Sequence, residues 1–356
     1  MIGTAAAAGP GHRLGRWVQA QWAGPMPGAG AQWLRPLSWL YRGLSGLHAG
    51  LYRSGVFQVQ RAPVPVLVVG NLVTGGAGKT PAVIALVGLL RQQGFKPGVI
   101  SRGHGRQGTA VQQVQRDSPA CEVGDEPLLI HLRTGAPVVV GADRAAAARQ
   151  LCAAHPDVNL LLADDGLQHH RLQHDRVLLM FDERGAGNGL HLPAGPLRQA
   201  LPANLTAGTL VLYNAAAPST PLPGFLGQRR LAGVLPLADW WAGRLPAPDG
   251  GWSALPAGPL LAAAGLARPG RFFDMLEGAG LQIQRLALAD HHPMQPLPWP
   301  AEAPDVIVTE KDAVKLRPGS TGGTRVWVAP LDFQPEPAFA QAFYTLCAPL
   351  LTPHEP

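Results

Sequence analysis

The chain has 356 residues, enough to bury a large core and usual for two domains. Its 46% apolar and 15% charged residues are those of a globular fold, and 44 Gly with 36 Pro make it rich in loops. Cys121, Cys152 and Cys347 lie far apart, show no metal-ligand spacing and leave an odd one over, which argues against a disulfide framework and for a reducing, cytosolic setting. The net charge of +6 conceals an asymmetry: up to Arg116 there are twelve Lys and Arg and no acid, leaving seventeen against twenty-three for the rest. Such a front faces something anionic: a phosphorylated ligand, nucleic acid or acidic lipid.

Met1 to Gly30 is rich in Ala, Gly and Pro and lacks the charged lead-in and apolar core of a signal peptide, so it reads as a flexible, non-exported extension. From Gln32 to Arg53, Trp33, Leu37, Leu40, Leu44, Leu47 and Leu51 recur at alternating spacings of three and four, along one helix face. Trp39, Tyr41 and Tyr52 add amphipathic rings, and Arg35, Arg42 and Arg53 can reach phosphate headgroups. Arg, Ser and Gly interrupt the segment too often for a simple transmembrane helix. Two readings stand: a helix packed on the core, or one lying on a membrane surface, towards which the acid-free flank tilts. No nucleic-acid-binding motif is recognisable.

The stretch that organises the chain follows. Pro63–Gly70 (PVPVLVVG) reads as a buried strand that feeds NLVTGGAGKTP, ending where a helix opens at Lys79. Val73, Thr74, Gly75, Gly76, Ala77 and Gly78 form a loop whose backbone N–H groups can curl around a phosphate, helped by the helix dipole. Lys79 is placed to reach the β- and γ-phosphates and Thr80 to hold Mg²⁺. The strict phosphate-loop pattern has glycine where Val73 stands.

A helix over Val83–Gln93 and a strand over Lys96–Ser101 complete a βαβ unit, which implies a parallel sheet with ligands at the carboxyl ends of its strands. That strand empties into SRGHGR, whose Arg102 and Arg106 suit an anionic group, the bland reading being a basic surface turn. In GDEP, Asp125 stands where a helix N-cap would; it is also placed to take a proton from an attacking hydroxyl, and spacing does not separate the two. A strand at Val138–Gly141, a helix at Arg144–Leu151 and a strand at Val158–Ala163 lead to Asp164-Asp165-Gly166. A strand ending in an acid is the usual partner of a phosphate loop, so Asp164 is assigned to the Mg²⁺ shell, with Asp165 sharing that work or binding a substrate hydroxyl. After a strand at Val177–Phe181, the Pro/Gly loop NGLHLPAGPLR ends in Arg198, a candidate substrate contact. Beyond it, a strand near Gly258–Ala264, the helical RFFDMLEGAG and strands at Val306–Thr309 and Val326–Val328 read as a second α/β unit.

In order, GNLVTGGAGKTP, SRGHGR, GDEP, DDGLQH, LPAGPLR, ADHH at Ala289–His292 and TEKDAVKL at Thr309–Leu316 resemble the tetraacyldisaccharide 4′-kinase family over roughly Leu51–Leu316. The resemblance implies a P-loop NTPase-like α/β fold with a smaller second α/β domain. It also implies ATP- and Mg²⁺-dependent phosphorylation of the 4′-hydroxyl of an acylated glucosamine disaccharide 1-phosphate at the cytoplasmic face of the bacterial inner membrane. It makes Asp125 the base, His291 its support, Lys79 and Thr80 the phosphate loop, and Asp164 with Asp165 the acidic pair. The chain departs from the family at His104, where tyrosine is usual, and at Arg198-Gln199-Ala200, where Arg-Glu-Pro is usual. The expected organisation is an extension over 1–30, a peripheral membrane helix over 31–55, a kinase core over 56–215 and a C-terminal domain over 216–356. The rival is a P-loop ATPase or GTPase that acts as a switch or partitioning protein and passes phosphate to water.

Overall fold

The computed structural model describes residues 15, 17–22, 24 and 26–351, so most of the expected N-terminal extension lies outside the described residues. In chain order the strands are β1 (Val66–Gly70), β2 (Pro97–Ser101), β3 (Gln112–Gln113), β4 (Val138–Val140), β5 (Leu160–Asp164), β6 (Arg176–Asp182), β7 (Thr209–Asn214) and β8 (Phe225–Leu231). They continue with β9 (Leu235–Pro236), β10 (Leu260–Ala264), β11 (Ile283–Ala287), β12 (Asp305–Thr309), β13 (Arg325–Ala329) and β14 (Leu331–Pro335).

The apolar runs of β1, β2 and β5 are buried along their whole length, as strands covered on both faces must be. They form the middle of a nine-stranded sheet in the order β14-β8-β7-β6-β1-β5-β2-β4-β3. Every pairing from β8 to β4 is parallel, and β14 and β3 close the edges antiparallel. A second sheet has the order β11-β10-β12-β13-β9, parallel except for β9. The sheets do not divide at residue 215. β8 and β14, both from beyond it, extend the large sheet, and the Pro337–Cys347 helix packs there through Phe339 and Phe343, with Phe225 edge-on to Phe339 at 5.8 Å. One continuous apolar cluster joins the two sheets, running from Leu67 and Val83 through Trp240 and Trp241 to Val306 and Val328.

Local signals explain the elements around the site. The Lys79–Gln92 helix buries Val83, Leu86, Val87 and Leu90 at helical spacing, and Gly94, at φ 84°, turns the chain out of it towards β2. The front helix spans Ala29–Arg53. Its packing face is small and polar: Ala31 and Ser38 are buried, and the Ser38 hydroxyl donates to the His191 carbonyl (2.8 Å) and accepts from the Ala194 N–H (3.0 Å). The Tyr41 hydroxyl donates to the Arg198 carbonyl at 3.3 Å. The apolar stripe faces out instead, with Trp33 85%, Leu37 54%, Leu40 58%, Leu44 59% and Leu47 61% exposed. Among the described residues no helix is long and apolar enough to cross a membrane.

Candidate active site

The carboxyl ends of adjacent strands β7, β6, β1, β5 and β2 carry Asn214, Asp182, Asn71, Asp164 and Ser101, all buried polar residues in an otherwise apolar sheet. Polar groups are costly to bury without partners, so such a row marks the working edge of the sheet. It borders an open cavity of ≈ 1520 Å³ lined from both sheets, by Lys79, Thr80, Arg102, Glu126, Asp164, Asp165, Arg198 and His291 among others.

The phosphate loop is held from within. Gly78 precedes the helix in the left-handed region, at φ 79°, and a Cβ there would stand 2.3 Å from Asn214 Nδ2, which donates to the Ala77 carbonyl at 3.1 Å. Gly75, at φ 102°, lies against the Arg184 guanidinium. Lys79 Nζ donates to Asn71 Oδ1 (3.1 Å) and pairs with Asp165 (3.3 Å); Arg198 also pairs with Asp165 (3.2 Å) and donates to Gln168 Oε1 (3.2 Å). Burial is the largest single influence on Asp165 and pushes its pKa up, but Lys79 and Arg198 together outweigh it and hold the group below the usual carboxylate value. Asp165 itself has a left-handed backbone, at φ 51°, uncommon outside glycine. Asp164 behaves oppositely: burial first, then the Glu126 charge, raise its pKa to about 7. Ser101 Oγ donates to its Oδ2 at 3.2 Å, and its buried Oδ1 has no hydrogen-bond partner among the described residues.

Across the cavity wall, Asp125 is the first residue of the Asp125–Thr134 helix, and Gly124, at φ 94°, takes the N-cap position. The N-cap reading is therefore displaced: the carboxylate leaves its own helix and meets the second sheet. Its Oδ2 lies 3.0 Å from His291 Nδ1 and 3.3 Å from Lys315 Nζ. Burial raises the Asp125 pKa most, yet the His291 hydrogen bond, then the charges of Lys315 and Lys311, bring it below its ordinary value. His291 also has a left-handed backbone, at φ 59°, and the His104 ring packs on it at 5.6 Å. Local spacing gives no sign of this pairing, whose partners are 166 positions apart; only the family resemblance pointed to it.

Several participants carried no local signal. Asp182 is fully buried and held by Arg184 (2.8 Å), with Arg268 3.8 Å away across the sheets; Arg268 and Arg271 both pair with Glu183. These guanidinia and the half-buried Arg229 bring positive charge to the outer side of the phosphate loop. Arg102 lines the mouth and makes no hydrogen bond or ion pair with another described residue, whereas Arg106 folds back to its own loop at the Ala110 carbonyl. The acids of TEKDAVKL are buried and find their partners within the protein. Arg133 Nη1 donates to both Glu310 carboxylate oxygens (2.7 Å each) while its Nη2 donates to Asp332 (2.8 Å); Glu310 also accepts from Trp240 Nε1 (2.9 Å), and Asp312 accepts from the Gly265 N–H (3.0 Å) and Thr309 Oγ1 (2.7 Å).

A glycine-cradled loop ending in Lys-Thr, an acidic strand end beside it and a buried carboxylate–imidazole pair opposite define a P-loop phosphotransferase. The family model described as tetraacyldisaccharide-1-P 4′-kinase matches residues 30–348, and the chain belongs to that family. It is 54% identical to the tetraacyldisaccharide 4′-kinase of Methylibium petroleiphilum over 95% of each chain. With the enzyme of the same name from Leptothrix cholodnii it shares 51% identity, over 91% of this chain and 94% of that one. The crystal structure of LpxK from Aquifex aeolicus in complex with ATP has the same fold, with a TM-score of 0.74 and 25% identity over 90% of this chain and 99% of that one.

Proposed function

We propose that the chain transfers the γ-phosphate of ATP to the 4′-hydroxyl of tetraacyldisaccharide 1-phosphate, giving lipid IVA in lipid A biosynthesis, at the cytoplasmic face of the inner membrane. The observation that carries the assignment of roles is the Asp125–His291 contact, formed from opposite sheets beside a cavity that also holds the phosphate loop. Lys79 and the backbone of Val73–Gly78 bind the β- and γ-phosphates. Asp125 accepts the sugar hydroxyl proton as the oxygen attacks phosphorus and ADP departs, and His291 orients it. The free oxygen for that proton is Oδ1, since Oδ2 is taken by His291 and Lys315. Arg198 and Arg102 are placed to meet anionic groups of the substrate.

The residues present fit a divalent cation. The unpartnered Asp164 Oδ1, buried beside Thr80 and Asp165 in one cavity wall, is a hard oxygen in want of positive charge. Mg²⁺ held by Thr80, Asp164 and Asp165 would neutralise charge on the β- and γ-phosphates.

The exposed stripe of the front helix supports peripheral docking on acidic lipid, where the acylated substrate resides. Arg35, over the Trp39 ring at 6.0 Å, combines a cation with an interfacial aromatic. Tyr41 and Ser38 tie that helix to the loop carrying Arg198, so docking presents the lipid to the cavity.

The test is transfer of label from γ-labelled ATP to tetraacyldisaccharide 1-phosphate in mixed micelles, with Lys79→Ala and Asp125→Ala beside the wild type. Label in the lipid, lost in both variants, is expected. Label only in inorganic phosphate would turn the reading into the switch-ATPase and withdraw the roles of Asp125 and His291.

A further inference from the structure

Two lysines one helical turn apart, Lys311 and Lys315, converge on the Asp125–His291 pair from behind. Lys311 begins in the short Glu310–Ala313 helix that follows β12, and Lys315 lies just past its end. Lys315 is 5% exposed and its Nζ has three partners: Asp125 Oδ2 (3.3 Å), Asp312 Oδ1 (3.2 Å) and the His292 carbonyl (2.9 Å). Lys311 Nζ meets Glu126 (3.2 Å), Asp290 (3.3 Å) and His291 Nε2 (3.3 Å).

Donor chemistry decides what these contacts do. An ammonium has only protons to give, so His291 Nε2 opposite Lys311 must accept, and the ring proton resides on Nδ1. Nδ1 therefore donates to Asp125 Oδ2. Lys315 gives Oδ2 its second donor, leaving Oδ1 as the oxygen with no donor among the described residues. Asp312 anchors Lys315 in turn: it is fully buried and bound to Thr309 and to the Gly265 N–H, both in the second sheet.

We propose that Lys311 and Lys315 are positioning residues for phosphoryl transfer: Lys311 fixes the Nδ1–H tautomer of His291, and Lys315 keeps Asp125 ionised and turned so that Oδ1 faces the substrate hydroxyl. This deepens the reading of Asp125 as the base and rests on it. The charged and titratable groups facing Asp125 are Glu126 on its own helix, Asp290 and His291 on the 289–292 loop, with His104 behind the ring, and Lys311, Asp312 and Lys315 after β12. Of these, Lys315 is the cation in direct contact with the carboxylate. Without it, one of the influences that oppose burial is gone and Asp125 holds its proton to higher pH.

The experiment uses full-length enzyme with Lys315→Met, Lys315→Arg, Lys311→Met and Lys311→Arg. It records kcat and KM for ATP, kcat/KM against pH from 3 to 9, and ¹⁵N spectra of histidine-labelled protein, with His291→Asn to assign the ring. Lys315→Met is expected to move the acid limb of kcat/KM up by about one pH unit or more, with KM for ATP unchanged and Lys315→Arg restoring the wild-type limb. In the wild type His291 is expected as the Nδ1–H tautomer, and in Lys311→Met that preference is lost while Lys311→Arg keeps it. A Lys315→Met profile that superimposes on the wild type after scaling overturns the inference, as does an Nε2–H tautomer in the wild type. The spectrum needs no variant to fold except the assignment control. Failure of the base reading looks different: Asp125→Ala then still transfers label to the lipid.

Discussion

Replacing Leu40 and Leu44 by glutamine is expected to separate the proposed membrane docking from folding. Both sit in the front helix with 58% and 59% of their surface exposed, facing away from the protein. Full burial of a leucine is worth ~1.5–3 kcal/mol, so immersing the exposed part of each gains roughly 1 kcal/mol, and the pair roughly 2 kcal/mol. That is a factor of roughly 30 in vesicle partition. Glutamine has nearly the helix propensity of leucine, and substitutions at exposed sites usually change stability by less than about 0.5 kcal/mol, so the melting temperature should stay put. The assay is sedimentation with vesicles containing acidic phospholipid, beside thermal unfolding and ATP affinity. Ser38→Ala on the opposite face gives the reverse pattern. It removes the hydroxyl that serves His191 and Ala194, which costs ~1–3 kcal/mol of stability, and leaves the stripe intact. Unchanged partition of the Leu40/Leu44 variant, or a loss of stability as large as the loss of binding, would refute the reasoning.

Gly78→Ala places a Cβ 2.3 Å from Asn214 Nδ2 at φ 79°, so the loop must shift; ATP affinity by titration should fall about tenfold or more, for a strain of ~1–2 kcal/mol, with the fold retained. Arg133→Met leaves Glu310, 4% exposed in its side chain, with its Trp240 and Leu331 donors but without its cation, and chemical denaturation should report a loss of about 3 kcal/mol. His169 gives a pH signature. Burial first, then the Arg144 charge, lower its pKa from 6.5 to about 4, and it accepts the Arg144 N–H through Nε2. The unfolded chain takes up that proton before the folded one does. The contribution to stability is therefore flat above pH 6.5, falls as pH drops from 6.5 towards 4 and levels off below. His169→Asn should flatten that slope in unfolding experiments; an unchanged slope would show that His169 does not carry it.

What the chain declares locally is what depends on contiguous backbone. The phosphate loop was legible because the strand, the glycines and Lys79-Thr80 are neighbours in sequence, and a phosphate is held by successive N–H groups of one turn. Asp164 was legible for the same reason, as the last residue of an apolar strand. The front helix was legible as a helix with an apolar stripe, but not which stripe packs. Periodicity gives a face, and only the protein beneath it, here the 188–198 loop with its His191 and Arg198 carbonyls, selects the Ser38 and Tyr41 side. Asp125 illustrates the limit most directly. Its position suits a cap as well as a base, and its partners, His291 and Lys315, arrive from a separate sheet. Strands β8 and β14, distant in sequence, extend the first sheet because hydrogen bonding between strands is blind to chain separation. The sequence by itself determined the nucleotide loop, its acidic neighbour and the amphipathic front. Only the tertiary structure decided the contact geometry of Asp125 with His291, the lysines behind it and the outward turn of the apolar stripe, since each depends on which surfaces meet after both sheets share one core.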